Sequence, residues 1–126
     1  MIDIEKQITF WKNSATEDWS VAKQLVNSGK LRHGLFFVHL TIEKLLKALI
    51  CKNSRNLSPR IHNLSRLAGL AGIALNSEQV DLLAEINTFH IEGRYPESFV
   101  TTPSNEEALN YIVRVEKVYS WLMNQL

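Results

Sequence analysis

The stretch from Leu35 to Ile50 constrains this chain more than any other. Eleven of its sixteen residues are apolar, and none is glycine or proline. Leu35, Val38, Ile42, Leu45 and Leu49 recur at three- and four-residue steps, the period of an α-helix. A helix so rich in apolar positions must be covered on more than one side. It is expected at the centre of a helical bundle, with part of it also packed against a second subunit in a homodimer; a central helix in a monomer is the alternative. It is not a membrane span: uninterrupted apolar runs such as Leu35–Val38 fall far short of the ~18 residues a crossing needs.

Glycine and proline mark where the other helices begin and end. They fall at Gly29 and Gly34, Pro59, Gly69 and Gly72, Gly93 with Pro96, and Pro103. A first helix carries Ile4, Ile8, Trp11, Ala15, Trp19, Ala22 and Val26 on one stripe, with Asp3 placed to cap it and Gly29 to end it. A short third helix is predicted from about His62 to Gly69 or beyond, with Ser58-Pro59 as an earlier possible start. A fourth starts near Asn76 or Ser77 and stops at Gly93. A fifth opens on a capping box, Ser104 with Glu107, and carries Ala108, Ile112, Val115, Tyr119, Leu122 and Leu126 inward. Hairpin signals and alternating strand patterns are absent, as are repeats and linker-like shifts in composition. The prediction is one all-α domain over residues 1–126, an antiparallel up-and-down bundle of four long helices and one short one. At 126 residues the chain is long enough to fold without a disulfide or metal.

The formal net charge of +1 conceals a segregation. From Lys44 to Ser77 lie six basic residues (Lys44, Lys47, Lys52, Arg55, Arg60, Arg66) and no acid. From Glu78 to Glu107 lie seven acids and one base, Arg94. The acid-free block suits a phosphate-binding rim. Two blander alternatives stay open: the blocks face each other across the bundle, or they lie on solvated surfaces.

Catalytic signatures are few. The four histidines, His33, His39, His62 and His90, contain no i,i+4 pair, and Cys51 is the single cysteine, so neither a metal nor another cofactor is expected. His39, Glu43 and Lys47 do form an i,i+4,i+8 stripe. It reads as a solvated seam, and as a costly polar network if buried at a subunit interface. Arg94 either ties locally to Glu92 or Glu97 or serves as a site arginine. A lone cysteine precludes an internal disulfide, and the broken acidic start Met1-Ile2-Asp3-Ile4-Glu5 does not match a secretory leader, so a cytoplasmic location is expected.

Three motifs, in order, resemble one family. Phe37-Val38-His39-Leu40-Thr41-Ile42-Glu43-Lys44-Leu45-Leu46-Lys47-Ala48-Leu49 resembles the signature helix of HEPN domains: an aromatic, two polar positions, Glu-Lys, two apolar residues and Lys-Ala. His62-Asn63-Leu64 resembles the His-x-Leu that opens the third helix, and Arg94-Tyr95-Pro96 the Arg-Tyr-Pro that closes the fourth. The resemblance spans about the whole chain. It implies a helical homodimer, in prokaryotes often encoded beside a minimal nucleotidyltransferase in toxin–antitoxin-like pairs. Many members are metal-independent ribonucleases carrying Arg-x4-6-His. This chain departs there: five residues past Arg94 stands Phe99, seven past it Thr101, and no histidine follows. An Arg32-x6-His39 match lies on the second helix, away from the family's position for the motif.

The expected function is therefore a HEPN-type homodimer that acts with a minimal nucleotidyltransferase and binds nucleotide or RNA without catalysis of its own. Lys44, Lys47, Lys52, Arg55, Arg60, His62, Arg94 and Tyr95 are its candidate binding residues. No catalytic set is assigned; His39, His90 and Arg94 are the residues such chemistry would have to use. The alternatives are a divergent metal-independent ribonuclease toxin and a helical protein–protein interaction domain with no nucleic-acid role.

Overall fold

In the computed structural model, which describes residues 2–92 and 103–126 (backbone alone at 91 and 92), local capping chemistry sets most helix boundaries. Asp3 stands in extended conformation and its carboxylate accepts the Lys6 N–H at 3.1 Å, opening α1 (Ile4–Asn27). The turn out of α1 needs a left-handed residue and finds it in Gly29, φ 79°. The second helix, α2 (Leu31–Ser54), begins immediately after. Gly34 lets it approach α1: a Cβ there would stand 2.6 Å from Val26 Cγ2 and 3.0 Å from the Val26 backbone nitrogen.

The third helix, α3 (Leu64–Ala71), starts two residues later than about His62, because Asn63 is its cap and accepts the Arg66 N–H at 3.0 Å. It ends on Gly72, φ 72°. Asn76 and Gln79 exchange backbone–side-chain hydrogen bonds of 2.8 and 2.9 Å at the start of α4 (Ser77–Glu92). Ser104 and Glu107 form the expected capping box of α5 (Asn105–Met123).

Side-chain pairs fix the directions. Glu5 meets Arg55, so α1 and α2 are antiparallel. Trp19 donates its indole N–H to Glu116 at 2.7 Å, and Tyr119 reaches Thr16, so α1 and α5 are antiparallel. Glu85 holds Tyr111 and Arg114, joining α4 to α5. The side chain of Asn53 donates to the Ala71 carbonyl while His39 bonds the His62 carbonyl. The connection between α2 and α3 therefore runs back beside α2. The result is the predicted all-α up-and-down bundle, with α3 as the short fifth member.

Helix α2 contacts every other helix. Its Leu35, Val38, Ile42, Leu45, Leu46 and Leu49 are buried against Ala15, Trp19, Leu64, Leu67, Leu83, Ile86, Val115 and Leu122. Its own chain covers most of α2, as expected of a central helix, while Phe36, Phe37 and Leu40 stay half-buried. Among the described residues, no helix is long and apolar enough to cross a membrane.

Candidate functional site

The His39-Glu43-Lys47 stripe is not the solvated seam that its spacing suggested. It is buried within the single chain, with relative exposures of 0%, 4% and 6%. Periodicity places the three on one side of α2 but does not say what covers them; α1 and the segment before α3 do. Burying two charges is costly unless they are paired and hydrogen-bonded. The structure meets that requirement with a second histidine from the α2–α3 connection.

Glu43 is the hub. Lys47 Nζ donates to its Oε2 at 3.1 Å. His62 donates its Nδ1–H to both carboxylate oxygens at 3.2 Å. Lys47 also lies over the Trp11 ring, 5.2 Å from its centroid, where the ring quadrupole attracts the ammonium.

His39 completes the cluster from below. Since a carbonyl oxygen only accepts, the 3.0 Å contact to the His62 carbonyl puts the His39 proton on Nε2. Its Nδ1 is buried without a hydrogen bond, 3.6 Å from Glu43 Oε1. Burial pushes the His39 pKa down to about 4, helped by His90, against the pull of Glu43 and of the His62 carbonyl. His39 is thus neutral at physiological pH, and it anchors the loop that delivers His62.

The third histidine comes from the last turn of α4. The His90 ring lies 4.8 Å from that of His62 at an interplanar angle of 18°, 4.9 Å from that of His39, and 5.9 Å from Phe36 at 24°. Three of the four histidines, from α2, the α2–α3 connection and α4, thereby meet at one place. Sequence spacing could not reveal this: His39 and His62 already stand 23 residues apart, and His90 lies on a different helix again. His62 keeps 53% of its side chain exposed, so the cluster reaches the surface through it. Among the described residues, no group of three His, Cys, Asp or Glu side chains is arranged to hold a metal ion.

The proposed basic rim divides in two. Lys44 is drawn to α1, 2.6 Å from Asp18 and 2.7 Å from Ser14 Oγ, and Lys47 is buried on Glu43. Lys52 lies at the end of α2, where it donates to the Gln125 carbonyl at 2.6 Å. Arg55 makes an exposed ion pair with Glu5. Arg60 is exposed, two residues before His62, with no acidic partner among the described residues. Among the described residues, the ion pairs made by the basic block go to α1 and Glu43, and none joins it to the acidic block. The two blocks therefore do not neutralise each other among the described residues. Arg94 and Tyr95 lie outside the described residues, as do Phe99 and Thr101.

Sequence reasoning named His39, His62 and His90 separately. It missed that Glu43 is shared by His39 and His62, and that Phe36 and Trp11 supply the aromatic surroundings. The one available signal was the i,i+4,i+8 polar stripe on an otherwise apolar helix.

Comparison with known proteins now adds to the geometry. The family model for the HEPN domain matches residues 8–126. Among solved structures, the crystal structure of TT1696 from Thermus thermophilus is similar, with a TM-score of 0.79 and 19% identity over 95% of this chain and 98% of that one. At that identity the likeness speaks for the fold alone. No curated protein matches the chain.

Proposed function

The chain belongs to the HEPN domain family, and from that premise we propose that it binds nucleotide or RNA as a homodimer, beside a minimal nucleotidyltransferase, in a cytoplasmic toxin–antitoxin-like pair. The observation that carries the binding role is the α2–α3 connection. It takes Lys52, Arg55 and Arg60 from the end of α2 back to His62 with no acid in that stretch. Arg55 faces Glu5, but an exposed pair of this kind is worth only about 0–1 kcal/mol and leaves the arginine available to a phosphate. In this reading Lys47 supports the cluster through Glu43 and Lys44 is held by Asp18 and Ser14 of α1, so neither belongs to the rim. The nucleotidyltransferase rests on the family, and the homodimer on the family together with the half-buried Phe36, Phe37 and Leu40 of α2.

Each phosphate neutralised by a cation releases counterions, so binding falls steeply with salt. Filter binding of single-stranded RNA across a salt series tests this. The triple substitution Lys52→Ala, Arg55→Ala, Arg60→Ala should flatten the salt dependence; a slope unchanged by it refutes the rim. Light scattering tests the dimer, and co-purification with a co-expressed nucleotidyltransferase tests the partner.

A second reading, a metal-independent ribonuclease, is favoured by one feature. Glu43 holds the Nδ1–H of His62, which leaves Nε2 with its lone pair, as a general base requires, beside the second imidazole of His90. Cleavage of a mixed RNA pool by chelator-treated protein, abolished by His62→Ala and by Arg94→Lys, would establish it.

A further inference from the structure

We propose that the outer face of His62 is a stacking platform for an unpaired nucleobase, so that the ligand of this site is single-stranded nucleic acid gripped through a base. The inference rests on the nucleic-acid reading above and deepens it by naming the moiety and the residue.

Three observations converge. First, His62 lies almost parallel to His90, which is itself near-parallel to Phe36, at centroid steps of 4.8 and 5.9 Å. With 53% of the His62 side chain exposed, this group of near-parallel rings reaches the surface at His62. Second, the ring is held in place at two points. Its Nδ1–H is given to both oxygens of Glu43, a carboxylate that is itself buried and held by Lys47. Its backbone carbonyl accepts from the buried His39. An exposed histidine ordinarily turns freely about two side-chain bonds, and ordering it on binding costs free energy; here that ordering is already done. Third, Arg60 stands two residues away with no acidic partner among the described residues, within the acid-free stretch. A planar ring with an uncommitted cation two residues along the chain matches a base with its phosphate.

Stacking on an aromatic face tolerates any base, and a duplex offers none because its bases already stack on each other. Base identity should matter little, and strandedness should matter strongly.

The test uses the full chain and three probes of equal length and charge per strand. These are a single-stranded oligoribonucleotide containing 2-aminopurine, the same backbone with abasic sites, and the duplex form of the first. Wild type should quench 2-aminopurine fluorescence and bind the base-bearing strand about 5- to 150-fold more tightly than the abasic one. His62→Ala should erase that preference, whereas His62→Phe, which keeps a ring and loses both nitrogens, should retain most of it. Melting curves of both variants establish that they are folded. Equal affinity of wild type for base-bearing and abasic strands overturns the platform while leaving the phosphate rim intact. Binding of none of the probes at low salt overturns the nucleic-acid reading itself.

Discussion

Acidification should destabilise this protein through His39, in a pH window that the structure defines. Buried His39 has its pKa pushed down to about 4 from its ordinary 6.5, chiefly by loss of hydration. Between these values the unfolded chain binds a proton at His39 that the folded chain refuses. The unfolded state then holds more protons, so stability falls as pH drops from about 6.5 to about 4, and His39 contributes no pH dependence above that window. At about 1.36 kcal/mol per pKa unit the loss is about 3 kcal/mol, equivalent to roughly 10 °C in melting temperature for a domain of this size. Chemical denaturation at half-unit pH steps measures it. The control is His39→Gln, which keeps an amide donor for the His62 carbonyl and cannot titrate. The difference between the two pH profiles isolates His39 from the other histidines and the carboxylates. Parallel profiles, or an NMR titration placing His39 near its ordinary 6.5, would refute the reasoning.

Two further perturbations test the packing beneath the site. Gly34→Ala gains helix propensity but drives a methyl group to 2.6 Å from Val26 Cγ2, against a backbone nitrogen at 3.0 Å. Overpacking of this kind costs about 1–3 kcal/mol, so the urea midpoint should fall; an unchanged or higher midpoint would mean that α1 and α2 part easily. Glu43→Ala strands Lys47 in the interior and should cost about 3–5 kcal/mol, whereas the double change Glu43→Leu with Lys47→Met should recover most of it. Equal losses in the single and double variants would show that apolar packing, not charge pairing, holds this part of α2.

The helices were legible because their signals are local. Asp3, Ser104 with Glu107, and Asn76 with Gln79 act within one turn, and the stripes of α1 and α5 repeat at the helical period. Val118 joins the α5 core beyond the expected stripe, which shows how wide a buried face can be. The site was legible only as parts. A polar stripe on α2 has the same spacing whether water or protein covers it, and the choice is made by α1, the loop before α3 and the end of α4. The two-sided apolarity of α2 likewise could not distinguish a central helix from an interface helix, because covering surface from the same chain or another satisfies it equally.

The central position of α2 also determines how this molecule exchanges its amide hydrogens. The buried middle of α2, packed against all four other helices, opens to solvent only by large-scale unfolding, so its backbone amides should be the slowest in the protein. The α2–α3 connection has few such bonds and should exchange through small local openings. A ligand seated on His62 would therefore slow exchange in residues 55–63 to an extent set by local occupancy, whereas its effect on α2 would report only the added global stability. Deuterium uptake in these two segments thus separates where a ligand sits from how much it stabilises the fold.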